Sequence, residues 1–94
     1  MSDIVIHRRE FSLTSRVLEF DSAVEIFKII HIGLNNENPT VHYETLENPI
    51  YKQPIKLQLV LDNEYIPDRG IHVGSVASKH GNYYMHVYQI LERK

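Results

Sequence analysis

Residues 54–62, PIKLQLVLD, constrain the fold more tightly than any other stretch of the chain. Ile55, Leu57, Leu59 and Leu61 alternate with Lys56, Gln58, Val60 and Asp62. A repeat of two is the side-chain period of an extended strand, and this one describes a sheet with one buried and one wet face. The rest of the chain has to supply neighbouring strands and a cover for the apolar side.

The sequence pattern predicts a helix as that cover. Ser22 and Glu25 match a capping box, in which hydroxyl and carboxylate each satisfy an otherwise unpaired amide. Ala23, Ile26, Phe27, Ile30 and Leu34 then fall at the spacing of a buried helical stripe, with Gly33 or Asn35-Asn36 as the C-terminal cap. Val24, Ile29 and Ile32 are apolar as well. Only Ser22, Glu25, Lys28 and His31 form a polar strip, so either the sheet curls around this helix or a second subunit covers the excess.

Runs 3–11 and 15–20 read as two consecutive strands or a hairpin, and TVHYETL reads as a strand. Pro49 and Pro54 mark a turn region, because proline cannot occupy a central ladder position. Pro67-Asp68-Arg69-Gly70 suits a type I turn, and IHVGSVAS with NYYMHVYQIL forms a final hairpin. The expected fold is therefore α+β: residues 1–94 as one domain, a single helix packed on a bent antiparallel sheet of five to six strands, in the order β-β-α-β-β-β-β. This layout resembles that of cystatin-like folds in element order alone, and the resemblance implies no function.

Within the final hairpin, the loop Lys79-His80-Gly81, with Gly81 in a left-handed conformation, pairs Ser78 with Asn82. Ile71, Val73, Ala77, Tyr83, Met85, Val87 and Leu91 then share the core face. His72, Gly74, Val76, Tyr84, His86, Tyr88 and Ile90 share the other, with His72 opposite Tyr88 and Gly74 opposite His86. The alternative register pairs Ser78 with Tyr83 and puts Ile71, Val73 and Ala77 beside Tyr84, His86 and Tyr88. A slip of one residue moves a strand's side chains to the opposite face, so the segregating register is favoured.

Composition narrows the partner. With no cysteine, disulfide scaffolds, thiolate metal sites and cysteine nucleophiles are excluded, and a cytoplasmic protein is expected. No apolar run approaches the roughly 20 residues that span a bilayer, and MSDIVIHRREF lacks the order of a signal peptide. A net charge of -2 argues against a partner held by bulk electrostatics.

The favoured reading is a small non-enzymatic binding or regulatory protein that makes protein-protein contacts through His72, Tyr84, His86 and Tyr88 and self-associates as a homo-oligomer. Tyrosine is enriched at interface cores, whereas the plain alternative is a half-exposed sheet of good strand formers. A second reading is single-stranded nucleic acid stacked on the aromatic face, with His7, Arg8, Arg9 and Arg16 contacting phosphates or an acidic partner. A third is a histidine-based metal or acid/base site on His72 and His86, with His42 as a further candidate. No cofactor is implied. Asp62, Glu64 and Asp68 share one loop without the spacing of an EF-hand, so they read as solvated.

Overall fold

The computed structural model describes residues 3–91 and contains no helix among them. Seven strands form instead: β1 (Ile4–Glu10), β2 (Val17–Ala23), β3 (Phe27–Asn35), β4 (Asn38–Leu46), β5 (Lys52–Leu61), β6 (Gly70–Ala77) and β7 (Tyr84–Ile90). They make two antiparallel sheets, one of three strands in the order β1-β4-β3 and one of four in the order β2-β5-β7-β6. The apolar faces pack on each other around Phe20, Val41, Tyr43, Ile55, Leu57, Leu59, Met85 and Val87, with Phe11 from the β1–β2 link. The smallest dimension, 19 Å, is what two stacked sheets require.

The α+β expectation is thus corrected to an all-β fold, and the cause lies in β3. Its pairing with β4 runs Ile29↔Tyr43 and then His31↔His42, so Ile30 is the extra residue of a β-bulge. Phe27 and Ile29 pack on the core before the bulge, and Ile32 and Leu34 pack on it after. The inserted residue changes the inward spacing from two to three and back to two, which leaves Ile30, a member of the expected stripe, 41% exposed; apolar residues fill most positions from 23 to 34, so a helical stripe can be picked out that the strand does not use. Five isoleucines and valines between positions 24 and 32 favour the extended chain, where branched side chains keep their preferred rotamers. Ser22 caps nothing: its hydroxyl meets that of Thr45 at 3.1 Å, across the buried gap between the sheets. Of the apolar residues assigned to the helix, Phe27, Ile29, Ile32 and Leu34 pack within the sandwich, whereas Val24 and Ile30 stay 52% and 41% exposed.

β1 and β2 are consecutive strands in different sheets, not a hairpin. The central strand expected around residues 55–61 is present, with Ile55, Leu57 and Leu59 buried. Pro54 lies within β5 where only β2 pairs with it, since the β7 ladder begins at Leu57. The turn at residues 67–70 closes through the Gly70 amide on the Pro67 carbonyl. Arg69 has φ 59° at its third position, the sign of a type II turn and not of type I.

Candidate functional site: the outer face of the four-stranded sheet

β7 sorts its side chains as the alternation requires. Met85 and Val87 are fully buried, while Tyr84, His86 and Tyr88 face outward from the four-stranded sheet. On β6 the expected register is corrected in one half. Ala77 pairs with Tyr84, Val76 with Met85, Ser75 with His86 and Gly74 with Val87; a bulge at Val73 then returns His72 to a position opposite Tyr88. The Ser78 amide donates to the Tyr83 carbonyl at 2.8 Å, so the loop is one residue longer than expected. Gly81 does take the left-handed conformation, at φ 73°. Gly74 and Val76 therefore turn inward, and Ser75 and Ala77 turn outward. Packing gives the reason. A Cβ on Gly74 would lie 2.6 Å from Ile32 Cγ1, so the close approach of β3 to β6 is made on this glycine.

Three rows result. Val60 of β5, His86 and Ser75 form the middle row; Gln58, Tyr88 and His72 form the next. Asp62, one step beyond β5, accepts the Tyr84 amide on Oδ2 at 3.0 Å.

One hydrogen-bond chain crosses these rows. Asp62 Oδ1 lies 2.8 Å from His86 Nε2, His86 Nδ1 lies 2.7 Å from Ser75 Oγ, and Ser75 Oγ lies 2.8 Å from His72 Nε2. A carboxylate only accepts, so a neutral His86 carries its proton on Nε2, and its bare Nδ1 accepts a hydrogen bond from the Ser75 hydroxyl. Ser75 in turn accepts from His72 Nε2–H. Every group then has a complementary role. The His86 hydrogen bond, followed by the Tyr84 amide, holds the Asp62 carboxyl below its ordinary range. Around the chain, the Tyr84 and His86 rings stack at 18°, and His72 meets Tyr88 edge-on with centroids 5.3 Å apart.

The other candidates are not brought here. His42 and His31 pair on the outer face of the three-stranded sheet, with ring centroids 5.3 Å apart, on the opposite side of the molecule. Arg8 is opposite His42 on that same face. His7 and Arg9 point between the sheets: the Arg9 guanidinium sits 4.6 Å over the Phe20 ring and its Nε donates to the Tyr43 hydroxyl. A cavity of about 140 Å³ opens beside them, but Asp21 and Glu47 on its rim offset the charges of Arg9 and Lys52. Arg16 is held by Glu64, Nη1 to Oε2 at 2.6 Å, and the same guanidinium lowers the Glu64 carboxyl. The four basic residues proposed for phosphate contacts are thus divided among three places.

Among the described residues, no group of three or more His, Cys, Asp or Glu is arranged to hold a metal ion. They also include no helix long and apolar enough to cross a membrane.

Sequence reasoning missed Asp62 and Ser75. Asp62 does follow Lys56, Gln58 and Val60 in the outward alternation of β5, where Val60 itself is covered, but the pairing of β5 with β7 brings Asp62 to His86, and alternation alone does not reveal which strands pair. No protein-family model matches the chain, and neither a curated protein nor a solved structure matches it at a significant level.

Proposed function

We propose that this is a small non-enzymatic binding protein that docks a protein partner on the outer face of the four-stranded sheet, with Tyr84 and Tyr88 as anchors and His72 and His86 as polar contacts. The observation that carries this reading is the Asp62–His86–Ser75–His72 chain. It fixes the imidazoles between the two tyrosines before any partner arrives, and side chains already held in place lose less entropy on binding. Tyr84, 53% exposed, has a large apolar ring available for burial. Self-association through this face, and a cytoplasmic setting, belong to the same reading.

The nucleic-acid alternative has weaker support. The aromatic face has Asp62 at one end and the opposed Glu19 and Lys56 one row beyond Gln58 at the other, whereas Arg8 and Arg9 belong to the other sheet.

The test compares capture by the wild-type protein from lysate of its own cell with capture by the Tyr84→Ala/Tyr88→Ala variant. Tyr65→Ala, on a loop residue 99% exposed, is the control. Loss of an anchor costs about 2 kcal/mol, or roughly 30-fold in affinity. Retention of the partner by Tyr65→Ala and its loss by the double variant is expected; equal capture by all three would refute the reading.

A further inference from the structure

The carboxylate–imidazole–hydroxyl arrangement on this face has a chemical consequence that docking does not use. A serine whose oxygen touches a histidine, itself oriented by a carboxylate, is the arrangement that raises a hydroxyl's nucleophilicity. Here both contacts are short, 2.7 Å from Ser75 Oγ to His86 Nδ1 and 2.8 Å from His86 Nε2 to Asp62. The ring is used in the opposite sense from the serine proteases, with the serine on Nδ1 and the carboxylate on Nε2, but proton transfer requires only a bare nitrogen facing the hydroxyl. His72 Nε2 approaches the same oxygen from the other side at 2.8 Å, where it donates to the oxygen as negative charge develops. Ser75 itself is exposed, so an electrophile reaches it without any opening of the fold.

We propose that Ser75 is an activated nucleophile toward small, strongly electrophilic acyl and phosphonyl compounds. In the step, a bond forms between Ser75 Oγ and the electrophilic carbon or phosphorus, and the bond to the leaving group breaks. The hydroxyl proton passes to His86 Nδ1 and from there to the leaving group, with Asp62 balancing the imidazolium. His86 is the general base, and Asp62 is a positioning residue. The products are a Ser75 ester and the protonated leaving group, with no other reactant consumed.

The probe is a fluorophosphonate, with adducts located by peptide mass spectrometry on the whole protein. Such a probe needs no partner, so its outcome is independent of the docking reading. General-base assistance is worth at least about 10²-fold, so Ser75 should label about 100-fold faster than the exposed Ser12, and Ser75→Ala should remove that adduct alone. His86→Gln should reduce the Ser75 rate to that of Ser12. Asp62→Asn should lower the maximal labelling rate while leaving the half-saturating probe concentration unchanged, which a loosened fold would not do. Labelling of Ser75 no faster than Ser12 in the wild-type protein overturns the proposal, as does a rate unaffected by His86→Gln in a variant whose amide spectrum is otherwise native.

Discussion

Gly81 shows how much a single backbone conformation decides. It sits at φ 73°, and a Cβ placed there would meet nothing within 4 Å. Space is therefore not the constraint. A left-handed conformation costs an L-residue about 1–2 kcal/mol, so Gly81→Ala should destabilise the protein by about 1 kcal/mol in urea titration despite the open surroundings. This glycine was legible in the sequence, because a loop between two strand patterns has few other uses for it. Three carboxylates make a second residue-scale prediction. Glu10 is lowered by the Asn35 and Asn38 side-chain amides, Asp62 by His86 and the Tyr84 amide, and Glu64 by Arg16 and the Leu61 amide. Each folded-state value lies below the ordinary 4.5 of glutamate or 3.8 of aspartate. Their contribution is complete above those values and disappears as pH falls through the depressed ones. The thermal midpoint should therefore drop on acidification below about pH 4.5. Glu10→Gln, which still accepts a hydrogen bond but does not titrate, should flatten part of that drop.

Among the elements, β3 is where sequence and structure part. Apolar residues crowd positions 23–34 so densely that a helical stripe can be picked out of them although the bulged strand turns Phe27, Ile29, Ile32 and Leu34 inward, and a hydroxyl that resembles a cap is in fact half of the Ser22–Thr45 contact. The five branched residues between positions 24 and 32 are the local signal for a strand, set against a capping box and an apolar stripe that point to a helix. By contrast β5 was legible from Ile55 to Leu61 through its alternation, although its start at Lys52 was read as a turn and Val60, expected on the wet face, is buried. The same strand spacing sets a packing limit where β3 crosses β6. Gly74→Ala forces a Cβ to within 2.6 Å of Ile32 Cγ1, so overpacking should cost about 1–3 kcal/mol. Ile32→Ala removes the obstructing carbon. A double-mutant cycle in denaturant should show Gly74→Ala costing less in that background; equal costs in both would mean that the two strands do not meet there.

Across the whole molecule, the two sheets present different exteriors, each with a histidine pair: His31 with His42 on one, His72 with His86 on the other. Only the second pair joins a carboxylate and a hydroxyl into a continuous chain. That chain depends on the β5–β7 pairing, the longer hairpin loop and the Val73 bulge together, since a slip in any of them would carry Ser75 or Asp62 away from His86. The outward set of β7 was legible from alternation, whereas the partners that orient it come from two other strands and were not. The docking reading and the reactivity of Ser75 both rest on this arrangement. The most direct measurement is a long-range proton–nitrogen NMR correlation of the histidine side chains at a pH well above the ordinary imidazole range, where a neutral ring has one proton and the spectrum reads the tautomer of His86. A proton on Nε2 is predicted, changing on Asp62→Asn substitution; a proton on Nδ1 in the wild-type protein would contradict the account.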